Sequence, residues 1–160
     1  MLKRNKIALS LFVVFYISFG AYLTIFQERI VYLPGYQDFL DCENFRDADK
    51  VTWQGTRMYV ANLDRPTVVL YHGNAGSACD RFFYADIFTR AGYGYIIVTY
   101  AGYSNDTRRP SHELIKQDVR AVISFVNENK IPYLVVVGES IGTGVASYHA
   151  SVQAPDRLLL

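Results

Sequence analysis

Gly138-Glu139-Ser140-Ile141-Gly142 lies where a buried strand ought to bend sharply into a helix. Ahead of it runs Tyr133-Leu134-Val135-Val136-Val137, short, β-branched and apolar on both faces, the pattern of a strand covered by helices on both sides. Behind it, Thr143-Gly144-Val145-Ala146-Ser147-Tyr148-His149-Ala150 opens with small residues and continues with helical spacing. A strained strand-to-helix turn that pushes a serine hydroxyl clear of the backbone leaves no room for a β-carbon two residues to either side. Gly138 and Gly142 meet that requirement, and Ser140 becomes a candidate nucleophile at the top of a sheet. A random chain of this length shows Gly-x-Ser-x-Gly about one time in twenty. The motif therefore needs context before it excludes an ordinary glycine-rich turn whose serine caps a helix.

His72-Gly73-Asn74-Ala75-Gly76 supplies that context. It follows the apolar run Thr67-Val68-Val69-Leu70-Tyr71 and precedes a stretch in which Phe82, Phe83, Ile87 and Phe88 recur at helical spacing, with Ser77 placed as an N-cap. A strand, a His-Gly turn and a helix form the place from which one of two oxyanion donors comes in a hydrolase built on such a bend. Acyl transfer builds negative charge on a former carbonyl oxygen, and each preorganised N–H donor stabilises it by about 3 to 4 kcal/mol. The backbone N–H groups of Asn74 and Ile141 are the candidate donors, with His72, Gly73 and Gly76 shaping the turn. The chain lacks the Lys of a phosphate-binding loop.

Three passages resemble the α/β-hydrolase superfamily, and within it the membrane-anchored bud-emergence-type and α/β-hydrolase-domain group, close to serine aminopeptidase-like and lysophospholipase-like sequences. They are Tyr71-His72-Gly73-Asn74-Ala75-Gly76-Ser77, Thr99-Tyr100-Ala101-Gly102-Tyr103-Ser104 and Gly138-Glu139-Ser140-Ile141-Gly142-Thr143-Gly144. The first and third match closely. The second departs at Thr99, Ala101 and Ser104, where relatives carry Asp, Arg and Gly. The resemblance implies Ser140 as nucleophile, Asn74 and Ile141 as oxyanion donors, no metal and no cofactor, and an ester, thioester or amide of a lipid-like or peptide acyl substrate.

In such folds the triad runs Ser, then Asp or Glu, then His. Beyond Ser140 the only histidine is His149, more than two helical turns further along the same predicted helix, and the only acid is Asp156. His72 and His112 read as structural or exposed. Ala154-Pro155-Asp156-Arg157 reads as a turn and Leu158-Leu159-Leu160 as the opening of a further strand. The expectation is an α/β-hydrolase domain truncated after the elbow helix, by a broken frame or an incomplete gene model, and inactive alone. A membrane-tethered, non-catalytic binding module is the alternative.

Lys3, Arg4 and Lys6 precede an uncharged stretch over 7–26, about the twenty residues needed to cross a bilayer. The positive cluster predicts a cytoplasmic N-terminus and an exported domain. Residues 1–28 are expected as a single-pass anchor, or as a signal peptide cleaved after the small residues near Gly20, and 29–160 as the hydrolase domain. Tyr22 and Tyr32 are candidate interfacial rings or ordinary packing residues. The formal net charge is +1 and no basic run with interleaved aromatics occurs, which argues against nucleic acid.

The remaining pattern alternates strand and helix: one or two early strands over 54–61, a strand over 67–71, a helix over 79–90, a strand over 93–100 and a long helix from Pro110-Ser111 to about Asn129. That predicts an α/β fold, a mostly parallel sheet with helices on both faces. The stretch over 33–50, with Asp38, Asp41, Glu43, Asp47 and Asp49, reads as a solvated lead-in. Cys42 and Cys79 are the only cysteines. Their spacing carries no signature, so packing and a disulfide both stay open.

Overall fold

The computed structural model describes residues 2–160. The chain divides into two units, an N-terminal helix and residues 32–160. The helix, α1 (Leu2–Val31), is long and apolar enough to cross a membrane by length and composition, with a mean hydropathy of 2.0 over its most apolar 18 residues.

Residues 32–160 form a six-stranded mixed sheet with α-helices on its faces. In chain order come β1 (Lys50–Trp53), β2 (Thr56–Ala61), β3 (Thr67–Tyr71), α2 (Phe82–Arg90), β4 (Gly94–Thr99), α3 (His112–Glu128), β5 (Leu134–Gly138), α4 (Gly142–Val152) and β6 (Arg157–Leu159). The strand order is β1-β2-β4-β3-β5-β6. β1 and β2 make an antiparallel hairpin, β2 joins β4 antiparallel, and β4, β3, β5 and β6 are parallel. The hairpin turns at Gln54 and Gly55, both at positive φ (49° and 83°), the twist that two-residue loops favour. The helices arise because parallel neighbours need a crossover, which each β–α–β segment supplies.

Strand alternation sorts the core into two layers. Met58, Val69, Tyr71, Ile96, Val98 and Val136 pack with the buried stripe of α3, Ile115, Val119, Val122 and Val126, and with Ala146 of α4. Tyr59, Leu70, Tyr95 and Ile97 face the other way, towards Ala85 of α2 and towards Phe39, Cys42 and Phe45. β3 is buried along its whole length, which explains its lack of polar alternation, and each such side chain contributes roughly 1.5 to 3 kcal/mol.

Three local expectations are revised, and the alternative left open for the cysteines is decided. The lead-in is not merely solvated: Phe39, Cys42 and Phe45 are buried at 2, 0 and 5% exposure, and Phe45 stacks on Tyr59 at 4.0 Å. Cys42 and Cys79 form a disulfide with 5.9 Å between their Cα atoms. The expected helix over 79–90 begins as a 3-10 turn (Cys79–Arg81), and Ser77 is not its hydroxyl cap. Asp80 instead reaches back, its carboxylate accepting from Ser77 N at 2.6 Å and Ser77 Oγ at 3.0 Å. Finally, Phe82, Phe83 and Ile87 are exposed by 47, 46 and 54%, because α2 meets the sheet through the small side chain of Ala85, with Tyr84 and Phe88 partly covered beside it. The start of α3 is as expected, with Ser111 Oγ accepting from Leu114 N at 3.2 Å.

Candidate active site

Register brings two turns together. Tyr71, the last residue of β3, is paired with Gly138, the last of β5, so both parallel strands end level and release their turns at the same edge of the sheet. Glu139 N donates to the Tyr71 carbonyl at 2.9 Å, extending the pairing one residue into the turn.

Between β5 and α4 the chain reverses within four residues. Gly142 N donates to Glu139 O at 2.8 Å and Thr143 N to Ser140 O at 2.9 Å, closed further by Thr143 Oγ1 on Ser140 O at 2.7 Å. Ser140 sits at φ 53°, the left-handed region that side-chain-bearing residues avoid. Its side chain is exposed. The flanking glycines are sterically required: a β-carbon on Gly138 would lie 2.6 Å from Gly142 O and Thr143 Cα, and one on Gly142 would run into the Tyr71 carbonyl. No hydrogen bond reaches the Ser140 hydroxyl among the described residues.

The second turn, 72–76, has Ala75 and Gly76 at positive φ, 56° and 78°. His72 is fully buried with its ring 4.3 Å from that of Tyr100. Its Nδ1 donates to the Gly73 carbonyl at 2.7 Å, and Tyr100 OH donates to the His72 carbonyl at 2.8 Å. Burial pushes the imidazole down to about 4, outweighing the Gly73 bond, so it is neutral at physiological pH. The Asn74 side chain is pinned, its Oδ1 accepting from Leu33 N at 2.9 Å and Tyr103 OH at 2.8 Å. Gly35 N donates to Gly76 O at 2.8 Å, so the segment 32–35 straps this turn.

Arg81 joins the two turns. Its Nε and Nη2 donate to Glu139 Oε2 and Oε1 at 3.2 and 2.9 Å, while Nη1 donates to the carbonyls of Ala75 and Ser77 at 3.3 and 3.4 Å. Burial alone would raise the Glu139 carboxyl, but hydrogen bonding to Arg81 and the guanidinium charge outweigh it and hold it below the ordinary value.

With a β3 turn and a β5 turn side by side at the carboxyl edge, helices on both faces and the order β1-β2-β4-β3-β5-β6, the architecture is recognisable. It is the α/β-hydrolase fold. Among solved structures, this hydrolase-fold chain is similar to a probable hydrolytic enzyme from Pseudomonas aeruginosa (TM-score 0.57, 22% identity, 79% of this chain and 45% of that one). An α/β-hydrolase from Vibrio vulnificus matches with a TM-score of 0.56 at 18% identity, over 80% of this chain and 61% of that one. An esterase from Exiguobacterium antarcticum matches at 0.53 and 20%, over 69% and 43%. At these identities the likeness shows the fold. In sequence, the chain is similar to the protein Bem46 of Schizosaccharomyces pombe, 34% identical over 107 residues, which are 63% of this chain and 36% of that protein. It thus spans about a third of the curated relative it matches. No family profile matches it.

The histidines of this hydrolase-fold chain are held in different ways, and His112 lines, with Ile141, a cavity beside the Ser140 turn. His149 is fully buried in α4, hydrogen-bonded through Nδ1 to Tyr71 OH at 2.7 Å, and His72 is held as described. His112 opens α3.

Two residues outside the sequence reading organise the site. Arg81 had no signal beyond its charge. Asp118 had one: it falls on the apolar stripe of α3 between Ile115 and Val122. Its carboxylate accepts from Thr56 Oγ1 at 2.8 Å and Ala101 N at 2.7 Å, fixing the loop after β4. Ser104, the other departure from relatives in that loop, is held through its backbone, N donating to Gly35 O at 3.0 Å and O accepting from Arg57 at 3.2 Å.

Proposed function

We propose that this chain carries the acyl-accepting part of a serine hydrolase site, with Ser140 as nucleophile and the backbone N–H groups of Asn74 and Ile141 as oxyanion donors. One observation carries the reading: an exposed serine at φ 53° between two glycines that tolerate no β-carbon, one register step from the His72-Gly73 turn. Strain of that kind concentrates where a reactive group must be presented. In the proposed reaction the Ser140 oxygen attacks the carbonyl of an ester, thioester or amide, the leaving group departs with a proton, and water releases the acyl group.

His72 and His149 are fully buried and neither is hydrogen-bonded to Ser140 among the described residues, and the chain by itself is expected to be a very slow catalyst. An oxyanion hole and binding alone retain about 10³ to 10⁴-fold over water when triad members are removed from a serine hydrolase. Slow fluorophosphonate labelling over hours, confined to Ser140 and abolished in Ser140→Ala, is therefore expected by mass spectrometry. A folded chain that takes no label at that residue would retire the nucleophile and leave a non-catalytic binding module.

The same proposal anchors the chain in a membrane through residues 7–26, with the N-terminus cytoplasmic and the domain exported. Support comes from Lys3, Arg4 and Lys6 ahead of the apolar helix and from the Cys42–Cys79 disulfide, a bond that persists in oxidising compartments.

A further inference from the structure

Beside the Ser140 turn, between the start of α4 and the first turns of α3, lies a cavity of about 180 Å³. Ile115, Val119, Ile141, Gly144, Val145 and Tyr148 form its apolar wall, and His112 and Lys116 also line it. Tyr100 and Tyr103 also face it, but their hydroxyls are committed to His72 O and Asn74 Oδ1. Both present ring surface rather than polar atoms to the space. A β-carbon built on Gly144 meets nothing within 4 Å, so no protein atom fills the space next to it.

We infer that this cavity receives a compact apolar group, of roughly six carbons, belonging to the acyl ligand of the Ser140 site. The inference rests on the proposed role of Ser140 for its choice of ligand. Ile141 makes the connection: its backbone N–H is a proposed oxyanion donor, and the same residue lines the cavity. A carbonyl held at that N–H therefore has its apolar substituent at the cavity's edge. Size sets the limit, since an aliphatic cavity of about 150 Å³ takes benzene, and a space slightly larger suits a hexanoyl-sized, branched or aromatic group. Such selectivity lies in α3 and α4.

The test is methyl NMR of the full chain in non-ionic detergent micelles, titrated with hexanoate. Saturable shifts are expected at the Ile115, Val119, Ile141 and Val145 methyls. Gly144→Phe has the open space to close the cavity and gains helix propensity, so it should weaken hexanoate binding at least tenfold while the thermal midpoint holds. Val145→Phe is a second blocking variant should the first unfold. Three results overturn the inference: no saturable shift at these methyls, shifts spread equally over the methyls of α1, or unchanged affinity in a folded blocking variant. Hexanoate binding without fluorophosphonate labelling upholds the cavity and retires the nucleophile; labelling without hexanoate binding does the reverse.

Discussion

Ser140 holds a backbone conformation that costs a residue with a β-carbon about 1 kcal/mol or more relative to glycine. Its neighbours keep it there, through the paired bonds of Thr143 on its carbonyl. Ser140→Gly is accordingly expected to raise stability by about 1 kcal/mol in urea unfolding while removing the probe-reactive hydroxyl. An unchanged or lower midpoint would mean that no strain is stored at this position. Asp118 is the second residue whose chemistry is set by its surroundings. Burial pushes its carboxyl from 3.8 up to about 6, against the opposing effect of its bonds to Ala101 and Thr56. The folded state then holds this proton more tightly than the unfolded chain. Stability from this group is full below the ordinary carboxylate value and declines as pH rises towards 6, by about 3 kcal/mol for a shift of that size. Urea midpoints measured from pH 4 to 7 should fall over that range in the native protein, and Asp118→Asn should flatten the trend; equal slopes in both would assign it elsewhere.

Among the elements, the segment between α1 and β1 gained most in the folded structure. Phe39, Cys42 and Phe45 close the layer over Tyr59 and Ile97, and the Cys42–Cys79 bond spans a sequence separation of 37. A cross-link closing a loop of that length restricts the unfolded chain by about 4 kcal/mol. Reduction with dithiothreitol should therefore lower the unfolding free energy by about that amount, and Cys42→Ala/Cys79→Ala should match the reduced native protein. A stability indifferent to reductant would remove the bond from the argument. Nothing in the spacing of two cysteines encodes their meeting, which depends on how the lead-in folds back over the sheet. The strands were legible for the opposite reason. β3, β4 and β5 are short apolar runs between turn residues, a local pattern that burial on two faces imposes, and α3 announces itself by a stripe at helical spacing with Ser111 ahead of it. α2 was legible as a helix but not by its inner face, since a single alanine against the sheet leaves larger apolar side chains outside.

Across the whole domain, the sheet has an antiparallel half, β1 and β2, and a parallel half, and the candidate site lies wholly on the parallel side. Gly138-Glu139-Ser140-Ile141-Gly142 could be read from sequence because its glycines answer to clashes with near neighbours, apart from the Tyr71 carbonyl. What could not be read were the contacts that span the chain: Leu33 on Asn74, Asp118 on Ala101, and Arg81 on Glu139, 58 residues away. On the α2 side, Val68, Val135, Val137, Leu158 and Leu159 line a further apolar depression, with Leu159 54% exposed, so the sheet is less fully covered there than over α3 and α4.

The guanidinium of Arg81 has one further consequence. Because a single planar cation grips a carboxylate on one bend and two carbonyls on the other, neither bend can fray while its companion stays put. The two bends are therefore expected to open together, with matched rates of deuterium uptake.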